Sequence, residues 1–139
     1  MSPDELKKIH VVAGLICEKD RVLACQRSAS GPFPLKWEFP GGKVEPAEEP
    51  YAALCRELKE ELDISVSAAD QMCSYNHVYP GILEVELRFY DVKAFAGEIA
   101  NLAFEKIMWA KFGELSNLDF LEGDLAFVAK LEKGLIYPR

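Results

Sequence analysis

The sequence predicts an α+β fold, a mixed β-sheet held between helices. Three observations predict it. A β-rich apolar run opens the chain, one striped amphipathic helix follows a Pro-Gly-Gly stop, and two long strands separate that helix from a shorter closing one. At 139 residues the chain is expected to form one domain, residues 1–139, with a substantial core.

Residues 10–17 (HVVAGLIC) form the first strand, residues 18–21 a polar turn and residues 22–26 a returning strand, which together suggest a hairpin. Residues 28–36 carry Ser, Gly and Pro and form a loop. A short strand over residues 37–39 is stopped by Pro40, Gly41 and Gly42. Residues 46–62 are the clearest helix. Tyr51, Leu54, Cys55, Leu58 and Leu62 fall on one apolar stripe, and Glu48 and Glu49 would occupy the first turn, where the helix dipole favours negative charge. Residues 72–79 and 83–95 are strands split by Pro80 and Gly81. In the second of them Leu83, Val85, Leu87 and Phe89 alternate with Glu84, Glu86, Arg88 and Tyr90, so one face is buried. A short strand over residues 107–110 precedes a helix over residues 124–133, with Leu125, Val128 and Leu131 inward.

A net charge of −7 argues against a nucleic-acid polymer as partner, because such affinity needs clustered Lys and Arg. A small phosphorylated ligand remains compatible, since a bound divalent cation reverses the local field. The start of the chain is polar, without a signal-peptide core, and no apolar run is long enough to span a bilayer, so no membrane partner is expected. Cys17, Cys25, Cys55 and Cys73 are scattered without a C-x-x-C pair, the pattern of reduced thiols in the cytoplasm. His10 and His77 lack a second ligand at zinc spacing.

Glu57, Glu60 and Glu61 stand at i, i+3 and i+4 and share an arc of roughly 100° beside the apolar stripe. Like charges so placed destabilise an isolated helix, and a hard cation among them relieves the repulsion. A solvated acidic face is the rival reading. Gly41 and Gly42 lie just before the helix, where glycine permits close backbone approach, and Arg56 is placed to orient a carboxylate. On a continuous helix Glu48 and Arg56 would be two turns apart, too far for a one-turn pair.

Gly42, Glu48, Arg56, Glu57, Leu58, Glu60, Glu61 and Ile64 stand at the spacing G-x5-E-x7-R-E-U-x-E-E-x-G-U, with U apolar, which resembles the Nudix box. One position departs: Asp63 stands where the family has Gly. Asp tolerates the left-handed conformation that ends a helix, so the helix is expected to stop normally. The segment 37–43 (WEFPGGK) and the closing helix are similar to MutT-type members. The resemblance implies an α/β/α sandwich and hydrolysis of a nucleoside diphosphate linked to another group. A magnesium ion, with manganese as the alternative, would be held by Glu57, Glu60, Glu61 and the Gly41 carbonyl.

The general base stays open. Some members carry a Glu about six residues ahead of the Trp that corresponds to Trp109, where this chain has Ala103. Glu105 is then the nearest candidate, with Glu60 or Glu61 as alternatives. Arg27 matches a MutT-type arginine that contacts the nucleotide near its phosphates, and Phe39 would line the base pocket. Asp124 stands where members that read oxidised guanine carry Asn. An ionised Asp only accepts, which suits the amino group of cytosine or the N1–H and N2 edge of guanine; the rival role is helix N-cap.

The expected activity is magnesium-dependent hydrolysis of a (deoxy)nucleoside triphosphate to the monophosphate and pyrophosphate. CTP, dCTP or a modified nucleotide such as 8-oxo-dGTP is the expected substrate, and the protein a monomer or homodimer. The alternatives are a Nudix hydrolase of ADP-ribose or nucleoside diphosphate sugars and a nucleotide sensor that binds without cutting.

Overall fold

A computed structural model describes residues 6–138. The polar residues 1–5 and the final residue lie outside the described residues. In chain order the elements are β1 (Lys8–Leu15), β2 (Cys17–Glu18), β3 (Arg21–Gln26), β4 (Trp37–Glu38), β5 (Gly41–Lys43), α1 (Pro50–Leu62), β6 (Ser65–Tyr79), β7 (Leu83–Ala96), β8 (Lys106–Lys111) and α2 (Leu125–Glu132). Two 3-10 turns, Phe112–Asn117 and Glu122–Asp124, precede α2.

The strands form two four-stranded sheets. The first runs β5-β1-β7-β6 and is mixed, because β1 and β7 are parallel while the outer pairs are antiparallel. In the second, antiparallel sheet β3 pairs with β2, β4 and β8. The expected hairpin between residues 10–17 and 22–26 is therefore corrected. Only Cys17 and Glu18 pair with Val22 and Arg21. Val12 joins the core on the α1 side of β1, while Ala13 and Leu15 join the core on the α2 side. A strand apolar on both faces belongs at a sheet centre, and β1 accordingly lies between β5 and β7. The chain changes sheet at the buried Ile16, whose carbonyl accepts the Leu23 N–H at 2.9 Å.

The first long helix also starts later than its stripe implied. Pro50 takes the first helical position, where its missing N–H is harmless, and it holds Glu49 extended at φ −74, ψ 144. Glu48 and Glu49 consequently stand before the helix rather than in its first turn. Leu54, Leu58 and Leu62 are buried as expected, joined by Ala53, whereas Tyr51 is 38% exposed on the opening turn. The end follows the expectation. Asp63 is left-handed at φ 58, ψ 35, its N–H bonds the Lys59 carbonyl, and its carboxylate accepts Lys59 Nζ at 2.9 Å.

Strand β6 begins at Ser65, well before residue 72, because β7 continues to Ala96 and supplies partners for a polar stretch that shows no alternation of its own. On α2 the inward set is Phe127, Val128 and Leu131, and Leu125 is 49% exposed. Phe127 stacks on Phe89 with ring centroids 3.8 Å apart, and its larger apolar area decides which way the helix turns. One core packs α1 against Val12, Ile16, Leu23 and Tyr90, and the other packs α2 against Ala13, Leu87 and Phe89, which gives the sandwich its layers. Among the described residues no helix is long and apolar enough to cross a membrane.

Candidate active site

Strand β5 passes so close to its neighbours that Gly41 is compulsory and Gly42 is what lets Glu57 keep its place. Gly41 has φ 155, and a Cβ there would meet the Val12 carbonyl oxygen at 1.9 Å. A Cβ on Gly42 would lie 2.5 Å from the Glu57 carboxyl carbon. The double glycine therefore lets the α1 carboxylates lie directly on backbone.

Arg56 organises the outer side of α1. Its Nε and Nη2 each donate to the Glu48 carboxylate at 2.9 Å, a two-pronged bond. Nη2 also donates to the Lys43 carbonyl, and Nη1 donates to Glu57 at 2.9 Å and to Glu60 at 3.5 Å. The pair that a continuous helix would keep apart thus forms. Glu48 lies in the loop, turned back after Ala47 at φ 63, and accepts the Glu45 N–H as well. These bonds hold the Glu48 carboxyl down to about 2, the Arg56 side chain contributing most.

The inner side behaves differently. Glu61 accepts the Gly41 N–H at 2.9 Å, yet burial, with Glu57 and Glu38 adding to it, pushes its carboxyl up to about 8. Burial also raises Glu57, against the pull of Arg56. Glu57 and Glu61 both line a cavity of about 410 Å³, shared with Gly41, Gly42, Arg27, Phe39 and Asp124. That volume suits a small organic ligand.

The cavity's other wall is polar and buried. Arg27 Nη1 donates to both oxygens of Glu38, at 3.0 and 3.2 Å, and its Nε donates to the Pro32 carbonyl. Glu38 lines the same cavity and is a residue that the motif does not contain. Burial raises it, Arg27 lowers it and Glu57 adds to the rise, and its own charge raises Glu61 and Asp124. The signal for it lay in Trp37-Glu38-Phe39, where alternation puts a charge between two buried aromatics beside Arg27. Phe39 is buried among Phe89, Phe120 and Phe127, so the ring belongs to the core as well as to the cavity.

Asp124 stands at the N-cap of α2 but makes no side-chain capping bond. Its carboxyl is buried in the cavity wall instead. Burial, reinforced by Glu38, holds it well above the usual carboxylate range, while Arg27 and a hydrogen bond from the Phe39 backbone oppose the shift. Burial thus works against the ionised, acceptor-only form of Asp124, and a carboxyl that keeps its proton can donate as well as accept.

Glu60 and Glu105 are not among the residues that line this cavity. The Glu60 side chain is 60% exposed beside Arg56. Glu105 is exposed at the start of β8, where its N–H bonds the Gln26 carbonyl. Among the described residues no three His, Cys, Asp or Glu side chains converge closely enough to hold a metal ion as they stand. The donor chemistry nevertheless fits a hard cation. Glu57 and Glu61 are oxygen donors one turn apart, both desolvated, and the Glu57 charge adds to the cost of ionising Glu61, the condition a divalent cation relieves.

A layered α/β sandwich here sets desolvated carboxylates on a glycine-backed cavity, and comparison with known proteins gives the class of protein that this describes. The chain belongs to the NUDIX domain family, which it matches over residues 7–131. It is a Nudix hydrolase of MutT-like kinship. It is 38% identical to the 8-oxo-dGTP diphosphatase of Proteus vulgaris over 96 residues, which is 68% of this chain and 85% of that one. It is 35% identical to the CTP pyrophosphohydrolase of Escherichia coli, over 75% of this chain and 76% of that one. The solved MutT from a study of Aliivibrio salmonicida and Vibrio cholerae superposes with a TM-score of 0.79 at 29% identity, covering 92% of this chain and 99% of that one.

Proposed function

We propose that this Nudix hydrolase, a single catalytic domain of the cytoplasm, cleaves a (deoxy)nucleoside triphosphate to the monophosphate and pyrophosphate, using magnesium. The observation that carries the reading is one cavity lined both by Glu57 and Glu61 beside the double glycine and by Arg27, Phe39 and Asp124. The first set suits a cation and phosphates, the second a base.

Glu57 and Glu61, with Glu60 and the Gly41 carbonyl, would hold the cation. When bound, it neutralises charge on the phosphate oxygens and lowers the pKa of an attacking water. Arg56 holds Glu57 in place through Nη1 and so keeps that carboxylate on the cavity. Burial raises the Glu61 carboxyl to about 8, so holding a cation there would require it to give up its proton. Glu105, the base that the resemblance offered, draws no support from its exposed position outside the cavity.

With its proton kept, Asp124 would present one donor and one acceptor. That pair complements cytosine, which offers an acceptor ring nitrogen beside its amino donor, and 8-oxoguanine, which offers O6 beside a protonated N7. Unmodified guanine lacks the proton at N7 and could meet the pair only through O6 and N1–H. The reading agrees with the names of both relatives, the 8-oxo-dGTP diphosphatase and the CTP pyrophosphohydrolase.

The test is a magnesium-supplemented panel of CTP, dCTP, 5-substituted dCTP, 8-oxo-dGTP, dGTP and ADP-ribose, scored for pyrophosphate and orthophosphate. Pyrophosphate from a cytosine or 8-oxoguanine nucleotide is expected. Preferential hydrolysis of ADP-ribose, or orthophosphate as the sole product, would refute the reading.

A further inference from the structure

Three residues of β6, Tyr75, His77 and Tyr79, alternate along the strand and so present the same face. They meet the short turn that leads into α2. Tyr75 Oη donates to the Gly123 carbonyl at 2.6 Å. From the other side, the Gly123 N–H donates to Tyr79 Oη at 2.9 Å in a buried hydrogen bond. Two hydroxyls four residues apart on one strand thus hold both polar groups of a single residue, across 48 and 44 positions of sequence.

Gly123 immediately precedes Asp124. Its carbonyl belongs to the peptide bond that joins the two, so the Tyr75 contact fixes the plane from which the Asp124 side chain departs. The turn Glu122–Asp124 has no side-chain cap of its own to do this. Its backbone bonds are local, the Asp124 N–H on the Leu121 carbonyl and the Leu125 N–H on the Glu122 carbonyl.

The two rings are themselves held. Tyr75 lies 5.8 Å from Phe89, centroid to centroid, and Tyr79 lies 4.6 Å from His77 and 5.0 Å from Phe33. Burial raises both phenols above their ordinary value, so each remains a hydroxyl at neutral pH. The fit at Gly123 is tight: a Cβ there would lie 2.7 Å from Tyr79 Oη and 3.5 Å from His77 Cδ2.

We propose that Tyr75 and Tyr79 are positioning residues for base selection, gripping Gly123 from both sides and thereby setting where the Asp124 carboxyl stands in the cavity. The inference rests on the reading of Asp124 as the group that meets the base. It assigns the discrimination to a strand outside the Nudix box, and for Tyr75 to a residue that does not line the cavity.

Tyr75→Phe and Tyr79→Phe remove one hydroxyl each and keep the rings, so both variants are expected to fold, with thermal unfolding as the check. Steady-state kinetics with CTP, dCTP and 8-oxo-dGTP are compared with those of Asp124→Asn. KM for the preferred nucleotide should rise about five- to ten-fold in each Phe variant, the size of one neutral hydrogen bond, with kcat within about two-fold. The ratio between preferred and second base should narrow. Gly123→Ala should raise KM as well, and Tyr79→Phe on that background should recover part of the loss, because the hydroxyl that the new methyl strikes is gone.

If Asp124→Asn reorders the bases while both Phe variants keep wild-type KM and ranking, the grip is overturned and the base reading stands. A uniform fall in kcat for every base, with ranking unchanged, likewise overturns it in favour of a merely structural role. Should Asp124→Asn leave the ranking intact, the base reading falls and the grip falls with it.

Discussion

Around Arg56, Glu48 accepts two bonds from one guanidinium and is held down to about 2. One turn further along α1, Glu61 accepts a single backbone N–H and is pushed up to about 8 by burial. Across the cavity, burial raises Glu38 and Asp124 as well. The two regions use the same functional group for opposite ends. Outside, a satisfied carboxylate ties the loop of residues 43–48 to the helix. Inside, carboxylates are stripped of water, so a cation or a base gains by supplying the solvation the fold withholds. The difference explains how one acidic motif can be both scaffold and reagent, with Glu57 belonging to both: it is bonded to Arg56 and it lines the cavity.

The largest expected effect lies at that shared residue. Glu57→Gln should lower kcat by about 10²–10³-fold, the range seen when one charge-stabilising group is removed from a site, while thermal unfolding changes little. Glu60→Gln breaks the comparison at its weakest point, because Glu60 is exposed beside Arg56. A smaller loss of kcat is expected there, and a loss equal to that of Glu57→Gln would move Glu60 into the inner group.

A middle-sized effect is expected at Asp124. Asp124→Asn retains one donor and one acceptor but fixes them, so the ratio of kcat/KM between cytosine and 8-oxoguanine nucleotides should change by about ten-fold. Pyrophosphate should remain the product. An unchanged ratio across both nucleotides would remove Asp124 from the base contact.

The smallest effect separates the regions by pH. Glu61 is raised in the folded protein, so its contribution to the stability of the metal-free protein is fully present below about 4.5 and is lost as pH rises through about 8. Glu48 is lowered, so its contribution is present above about 4.5 and is lost as pH falls through about 2. Tm of the metal-free protein, followed between pH 5 and 8.5, should therefore fall less steeply in Glu61→Gln than in the wild type. Glu48→Gln should lower Tm near neutrality and converge on the wild type in acid. Parallel curves for all three proteins would erase the distinction.

Much of this was legible in the sequence because it is local. The glutamate arc, the apolar stripe through Leu54, Leu58 and Leu62, and the left-handed end at Asp63 follow from spacing and from the chemistry of single residues. The Glu48–Arg56 bond was hidden because a helical wheel assumes a continuous helix, whereas Pro50 starts it after Glu48. The exposure of Leu125 followed from a competition among apolar residues that Phe127 won by stacking on Phe89. Contacts across the fold are not settled by any one window of residues: the Arg27–Glu38 pair, the raised carboxyl of Asp124 and the hold of Tyr75 and Tyr79 on Gly123 all depend on which strands the chain brings together.

The most direct measurement is pyrophosphate release from CTP and 8-oxo-dGTP by exhaustively chelated protein, titrated with magnesium at pH 8 beside Glu57→Gln and Glu61→Gln. Turnover should vanish on chelation and return with magnesium, and both variants should need more magnesium and reach a lower plateau. Undiminished turnover without a divalent cation, or wild-type titration curves in both variants, would contradict the role given to the inner carboxylates.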